Sequence, residues 1–255
     1  MWPSCGDSAS ARSVESLISS GYDAFLITRR EEILARVEAA CNRCGRSSAE
    51  VTLAAVSKTV NPEEALLAYR AGYSVFAENR PQELVRKIEA LHQMTSDEIR
   101  FDMIGNLQTN KVNHVIGNAR LIHSVSSEKL ARVISSHCEA RELQQDVLLE
   151  VNISGEESKS GFDPQVLQEA FGEIVELPAL KVRGLMCMAP AHDAYRAQKT
   201  FEDFRNFRDK LTDEYHYPLP ELSCGMSDDF EAAIQEGSTF IRLGRIVFSP
   251  EYQLM

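Results

Sequence analysis

The sequence predicts an α/β protein built as one closed (β/α)8 barrel, and three observations carry that prediction. Eight short apolar runs recur along the 255 residues, amphipathic stretches of helical period separate them, and no linker rich in Pro, Gly or Ser divides the chain. Strands that alternate with helices pair in parallel through right-handed crossovers, and eight such units close on themselves. An open doubly wound sheet is the structural alternative, but no GxGxxG follows any of the runs.

The runs are "VTLAAVS" (51–57), "YSVFA" (73–77), "RFDMIG" (100–105), "LIHSV" (121–125), "VLLEVNI" (147–153), "KVRGLMCM" (181–188), "ELSCGM" (221–226) and "TFIRLG" (239–244). Their aliphatic and β-branched content, continuous rather than alternating, suits strands covered on both faces. Before the first run, "TRREEILARVEAACNRCG" has a helical apolar period. "PEEALLAYRAG" opens on Pro62 and closes on Gly72, and "SSEKLARVISSHCEARE" opens on a serine cap. Residues 1–28 have no place in this pattern and are expected to form an N-terminal arm or an extra helix, with the barrel occupying 29–255.

Composition bounds the function. A chain 44% hydrophobic and 25% charged has the balance of a globular domain with a sizeable core, and a net charge of −11 opposes binding to nucleic acid or anionic membranes. The segment "RPQELVRK" is only locally basic and reads as a solvated helix face. No apolar stretch is long enough to span a membrane, and "MWPSCGDSASARSVES" lacks the charged start and apolar region of a signal peptide, so a cytoplasmic location is expected. Cys41 and Cys44 form a lone CxxC with no second pair to complete four metal ligands, and the six cysteines do not read as a disulfide framework.

In such barrels the residues just after each strand converge on one mouth. Here they are Lys58, Glu78, Asn79, Gly105, Asn106, Ser124, Asn152, Met186, Gly225 to Ser227, Gly244 and Arg245. This set holds one lysine among mostly neutral groups, without the carboxylate cluster of a divalent-metal site or a glycosidase. A lysine that ends an apolar strand needs a partner or a task. "GMSDDFEAAI" offers a glycine, a hydroxyl and a helix start to an anion, and "IRLGRI" adds a second glycine where backbone can approach a ligand. A lysine and a phosphate cradle together suit a ligand bearing an aldehyde and a phosphate, and pyridoxal 5′-phosphate fits that description.

The motifs "AVSKT", "ENRPQE", "MIGNLQTNK", "VNISGEESKSG", "RGLMCM", "LSCGMSDDFEAAI" and "STFIRLG", in order from residue 54 to 244, resemble the YggS family, also called PROSC or pyridoxal phosphate homeostasis proteins. The resemblance covers nearly the whole barrel. It implies a barrel of the alanine racemase N-terminal domain type (fold type III), a monomer, and a role in vitamin B6 balance without an established catalytic reaction. It places Lys58 as the Schiff-base lysine, Asn79 beside the cofactor, Ser227 and Gly244 at the phosphate, and Met226 and Arg245 among the cofactor-binding residues. Arg245 stands where the family carries a small hydroxyl residue. Arg242 would face the pyridine nitrogen, and transient partners would be enzymes that accept the cofactor.

Two other functions are weighed. An amino-acid racemase or decarboxylase of this fold needs a second acid or base, and the run of motifs supplies none beyond Lys58. Alanine racemase brings its own from an added C-terminal β-domain, whereas this chain ends about a dozen residues after its last run. An enzyme acting on a sugar phosphate needs a general base at a strand end, for which Glu78 is the one candidate.

Overall fold

The computed structural model describes residues 13–156, 159–191 and 193–253. Residues 1–12, with Cys5 and the first part of the expected arm, lie outside the described residues. Eight parallel strands close into a barrel in chain order: β1 (Thr52–Val56), β2 (Val75–Glu78), β3 (Arg100–Met103), β4 (Leu121–Val125), β5 (Gln145–Glu150), β6 (Leu180–Met186), β7 (Glu221–Ser223) and β8 (Phe240–Leu243). Each falls within or against one of the apolar runs, and β8 closes the barrel on β1 with Ala54 opposite Arg242.

Alternation along the strands divides each into an outward and an inward set. Ala54, Val56, Val75 and Ala77 pack together with Ile104, while Leu121, Leu148, Met186 and Phe240 form a second inner cluster. Outward residues such as Ala55, Phe76, Phe101, Leu149 and Leu185 join the larger core beneath the helices.

Nine α-helices are described: α1 (Val14–Ser19), α2 (Tyr22–Arg43), α3 (Pro62–Arg70), α4 (Pro81–Met94), α5 (Glu128–Glu139), α6 (Pro164–Val175), α7 (Ala194–Tyr215), α8 (Phe230–Gln235) and α9 (Arg245–Phe248). Their starts carry the expected chemistry. Asn61 and Glu64 form a capping box at α3 with Pro62 in its first turn, and the Ser127 hydroxyl accepts from the Leu130 N–H at α5.

Two features depart from a regular alternation. Between β3 and β4 the connection is a 3-10 turn at Thr109–His114, held by buried Val112, Val115 and Ile116. Beyond β8 only the short α9 follows, and α2, which precedes β1, packs against α8, α3 and α9. The long N-terminal helix thus covers the flank where the strand-to-helix repeat runs out. Buried Leu26, Ile33, Val37 and Ala40 supply its apolar face, and Arg29 donates to the carbonyls of Ile246 (2.7 Å) and Tyr252 (3.2 Å). The helical pattern begins at Tyr22, six residues before the start legible in the sequence, so residues 28 and 29 are mid-helix.

Candidate functional site

The mouth is assembled at the C-terminal ends of the strands. Lys58 stands two residues beyond Val56, in the inward register, and is exposed with no hydrogen bond or ion pair among the described residues. Because β8 is the neighbour of β1, Lys58 borders the proposed phosphate loops rather than facing them across the barrel. Gly244 sits against Val56: a side chain there would begin 3.5 Å from the Val56 carbonyl oxygen.

Asn79 follows β2, half-buried, and its backbone is pressed against Gly105 after β3. A Cβ on Gly105 would lie 2.0 Å from the Asn79 carbonyl oxygen, so only glycine allows the two strand ends to touch. Ser124 secures the same spot from β4 by donating to the Gly105 carbonyl at 2.6 Å.

The loop after β7 turns at Gly225, whose φ of +92° and close contacts with Phe230 and Ala233 exclude a side chain. Met226 is exposed, and its N–H donates to Asp229 at 2.6 Å. Ser227 is buried, and its hydroxyl accepts from the Ile246 N–H at 3.4 Å, joining the β7 loop to the start of α9. Arg245 donates to Asp228 at 2.6 Å and lies over the Tyr252 ring, whose hydroxyl donates to the Asp228 carboxylate (2.6 Å) and to the Ser227 carbonyl (3.1 Å). Arg245, Asp228 and Tyr252 therefore clasp the 226–229 turn from outside. The stretch "FSPEY" (248–252) supplies that tyrosine.

Arg242 is buried in the inward register of β8. It donates to the Ser223 hydroxyl (2.7 Å) and the Cys187 carbonyl (3.0 Å). Behind it runs a polar chain through the barrel: Ser223 meets His123 Nδ1 at 2.9 Å, His123 Nε2 meets Asp102 at 3.2 Å, and Asp102 pairs with Arg120 at 2.6 Å. A carboxylate only accepts, which assigns the imidazole proton to Nε2 and leaves Nδ1 to accept from the Ser223 hydroxyl. Ser223 then keeps lone pairs for the guanidinium. Burial pushes the His123 pKa below its ordinary value, against the opposing hydrogen bond that the ring donates to Asp102, which favours the neutral imidazole.

Sequence reasoning missed Glu150. It ends β5 in the inward register two residues after Leu148, is 2% exposed, and accepts from Ser160 at 2.5 Å through one oxygen while the other has no partner among the described residues. Burial raises its pKa, opposed by Ser160 and by the charge of Arg242. Its period-2 offset from Leu148 was the available signal.

Glu78 is not where a general base would be. It is fully buried and points outward to α4, where it pairs with Lys87. The same contact corrects the reading of "RPQELVRK" as a solvated face: Lys87 shares the inner side of α4 with buried Leu84 and Leu91, an i, i+3, i+7 spacing. Among the described residues no group of three or more His, Cys, Asp or Glu could hold a metal ion, and no helix is long and apolar enough to cross a membrane.

Comparison with known proteins adds a family to this geometry. Residues 29–251 match the family model described as "Alanine racemase, N-terminal domain". The pyridoxal phosphate homeostasis protein of Aquifex aeolicus is 42% identical over 221 residues, which is 86% of this chain and 96% of that one. The chain belongs to the pyridoxal phosphate homeostasis protein family. Among solved structures, a protein from Bifidobacterium adolescentis is 36% identical with a TM-score of 0.82, over 89% of this chain and 95% of that one. PipY of Synechococcus elongatus PCC7942, solved with pyridoxal phosphate bound, is 30% identical with a TM-score of 0.74 and covers 84% of this chain and 100% of its own. The barrel of the pyridoxal phosphate homeostasis family is thus the barrel observed here.

Proposed function

We propose that this protein binds pyridoxal 5′-phosphate at the barrel mouth and serves the cell's balance of that cofactor rather than a turnover reaction of its own. The observation that carries the reading is Lys58, an amine at the end of β1 with no ion-pair partner among the described residues, beside two glycine loops able to receive an anion. The relatives support it, being homeostasis proteins by name and, in PipY, having the cofactor bound.

The residues fit the group. When bound, pyridoxal phosphate supplies an aldehyde that condenses with a lysine amine and a ring that withdraws electrons. Lys58 would supply the amine, and among the described residues no carboxylate pairs with it. Ser227, Met226 and the backbone at Gly225 and Gly244 would receive the phosphate. Arg245 joins them through its N–H, because its guanidinium is engaged by Asp228. Asn79 would border the ring. Arg242, a permanent cation held by Ser223 and Cys187, would keep a proton off a ring nitrogen set against it and so weaken the ring as an electron sink.

Two measurements test the reading. Ser227→Ala is expected to weaken cofactor binding by about 1–3 kcal/mol without abolishing it, since the backbone contacts remain. Unchanged affinity would make Ser227 only the bond that joins two loops. Incubation of the cofactor-loaded protein with each common L-amino acid is expected to give neither chiral inversion nor carbon dioxide at about 1 s⁻¹ or above. Turnover at that rate would favour the racemase or decarboxylase alternative. That alternative has one observation behind it, the unpartnered oxygen of Glu150, and Glu150→Gln would then abolish the activity.

A further inference from the structure

The residue before Lys58 has all three of its polar groups fixed. The Ser57 N–H donates to the Ala77 carbonyl of β2 at 3.0 Å, its hydroxyl donates to Glu78 Oε1 at 2.6 Å, and its carbonyl accepts from Lys87 Nζ at 2.6 Å. The same carbonyl accepts from the Val60 N–H at 3.1 Å and so closes the turn that holds Lys58. Lys87 bonds to Glu78 as well, which makes Ser57, Glu78 and Lys87 a closed triangle buried between β1, β2 and α4. The carbonyl that Lys87 grips belongs to the peptide bond leading into Lys58.

A buried ion pair is a poor way to gain stability, because the desolvation of two charges offsets their attraction. Here the attraction compensates that cost less fully still, since Glu78 Oε2 has no partner among the described residues. Leucine or methionine at position 87 would suit a site lined by Leu84 and Leu91. What an apolar side chain could not do is orient a peptide plane.

We propose that Glu78 and Lys87 are positioning residues: through Ser57 they fix the 57–60 turn so that the Lys58 amine is aimed into the mouth. The ligand arm of the test rests on Lys58 being the covalent attachment point, whereas the turn geometry does not.

The double variant Glu78→Gln/Lys87→Met removes both charges together, which avoids stranding one of them and keeps the fold accessible to measurement. In the protein without ligand, amide exchange at Val60 is expected to become about tenfold faster while Thr52–Val56 stay protected. With ligand, affinity for pyridoxal 5′-phosphate is expected to fall about tenfold, while pyridoxine 5′-phosphate, which has the phosphate but no aldehyde, changes by less than about twofold. Unchanged exchange at Val60, or an equal loss for both ligands, would overturn the proposal in favour of a general packing role. If the unaltered protein binds both ligands equally and forms no lysine adduct, the covalent reading of Lys58 fails, and the exchange measurement still decides the positioning claim.

Discussion

Lys87→Met as a single change is expected to lower folding stability by about 3–5 kcal/mol, the range for breaking a buried pair and stranding its partner. Lys87 and Glu78 are 1% and 0% exposed, so the lone carboxylate has no route to water. Adding Glu78→Gln to the same chain is expected to recover most of the loss, since an amide is far less costly to bury than a charge. Urea unfolding of the two variants beside the parent protein measures this. Equal stability of parent and Lys87→Met would show that Glu78 finds another partner.

Gly105→Ala is expected to cost about 3 kcal/mol and to reduce cofactor affinity with it. The added Cβ would meet three backbone atoms of Asn79, the oxygen at 2.0 Å, the carbon at 2.6 Å and Cα at 2.7 Å, and none of these can rotate away. Relief requires the ends of β2 and β3 to part, and Asn79 moves with them. Thermal unfolding together with a ligand titration reads both effects. A variant with parental stability and affinity would mean that the strand ends are looser than their contact implies.

Much of the barrel was legible because strands buried on both faces leave an uninterrupted apolar trace. All eight runs contain or adjoin a strand of the closed sheet. Lys58, Gly225 and Gly244 were legible for a related reason: a cation or a glycine at the end of such a run is out of place unless the chain needs it there. The contacts that complete the site were not. Asp102, His123, Ser223 and Arg242 lie on four different strands and meet only inside the closed barrel, so no window of sequence shows them as a chain.

One charged side chain misled, and a second was left open by the sequence. Lys87 read as a solvent-facing charge because "RPQELVRK" is locally basic, yet its helical offset from Leu84 and Leu91 turns it inward. Arg245 stood at a position where the family carries a hydroxyl, and the structure turns its guanidinium to Asp228 and Tyr252, a pairing set by the last described residues of the chain. The bounds of the helices before Thr28 were not legible because α1 is only six residues long and α2 starts from Gly21, whose φ of +76° ends one helix and opens the next without a side-chain cap.

The central claim is that Lys58 holds the cofactor, and borohydride reduction tests it most directly. The protein is loaded with pyridoxal 5′-phosphate, reduced to fix any lysine adduct, digested, and the modified peptide identified by mass. One modified peptide, containing Lys58, is expected, with the adduct lost in Lys58→Ala. Modification of a different lysine, or none in a protein that still binds the cofactor, would contradict it.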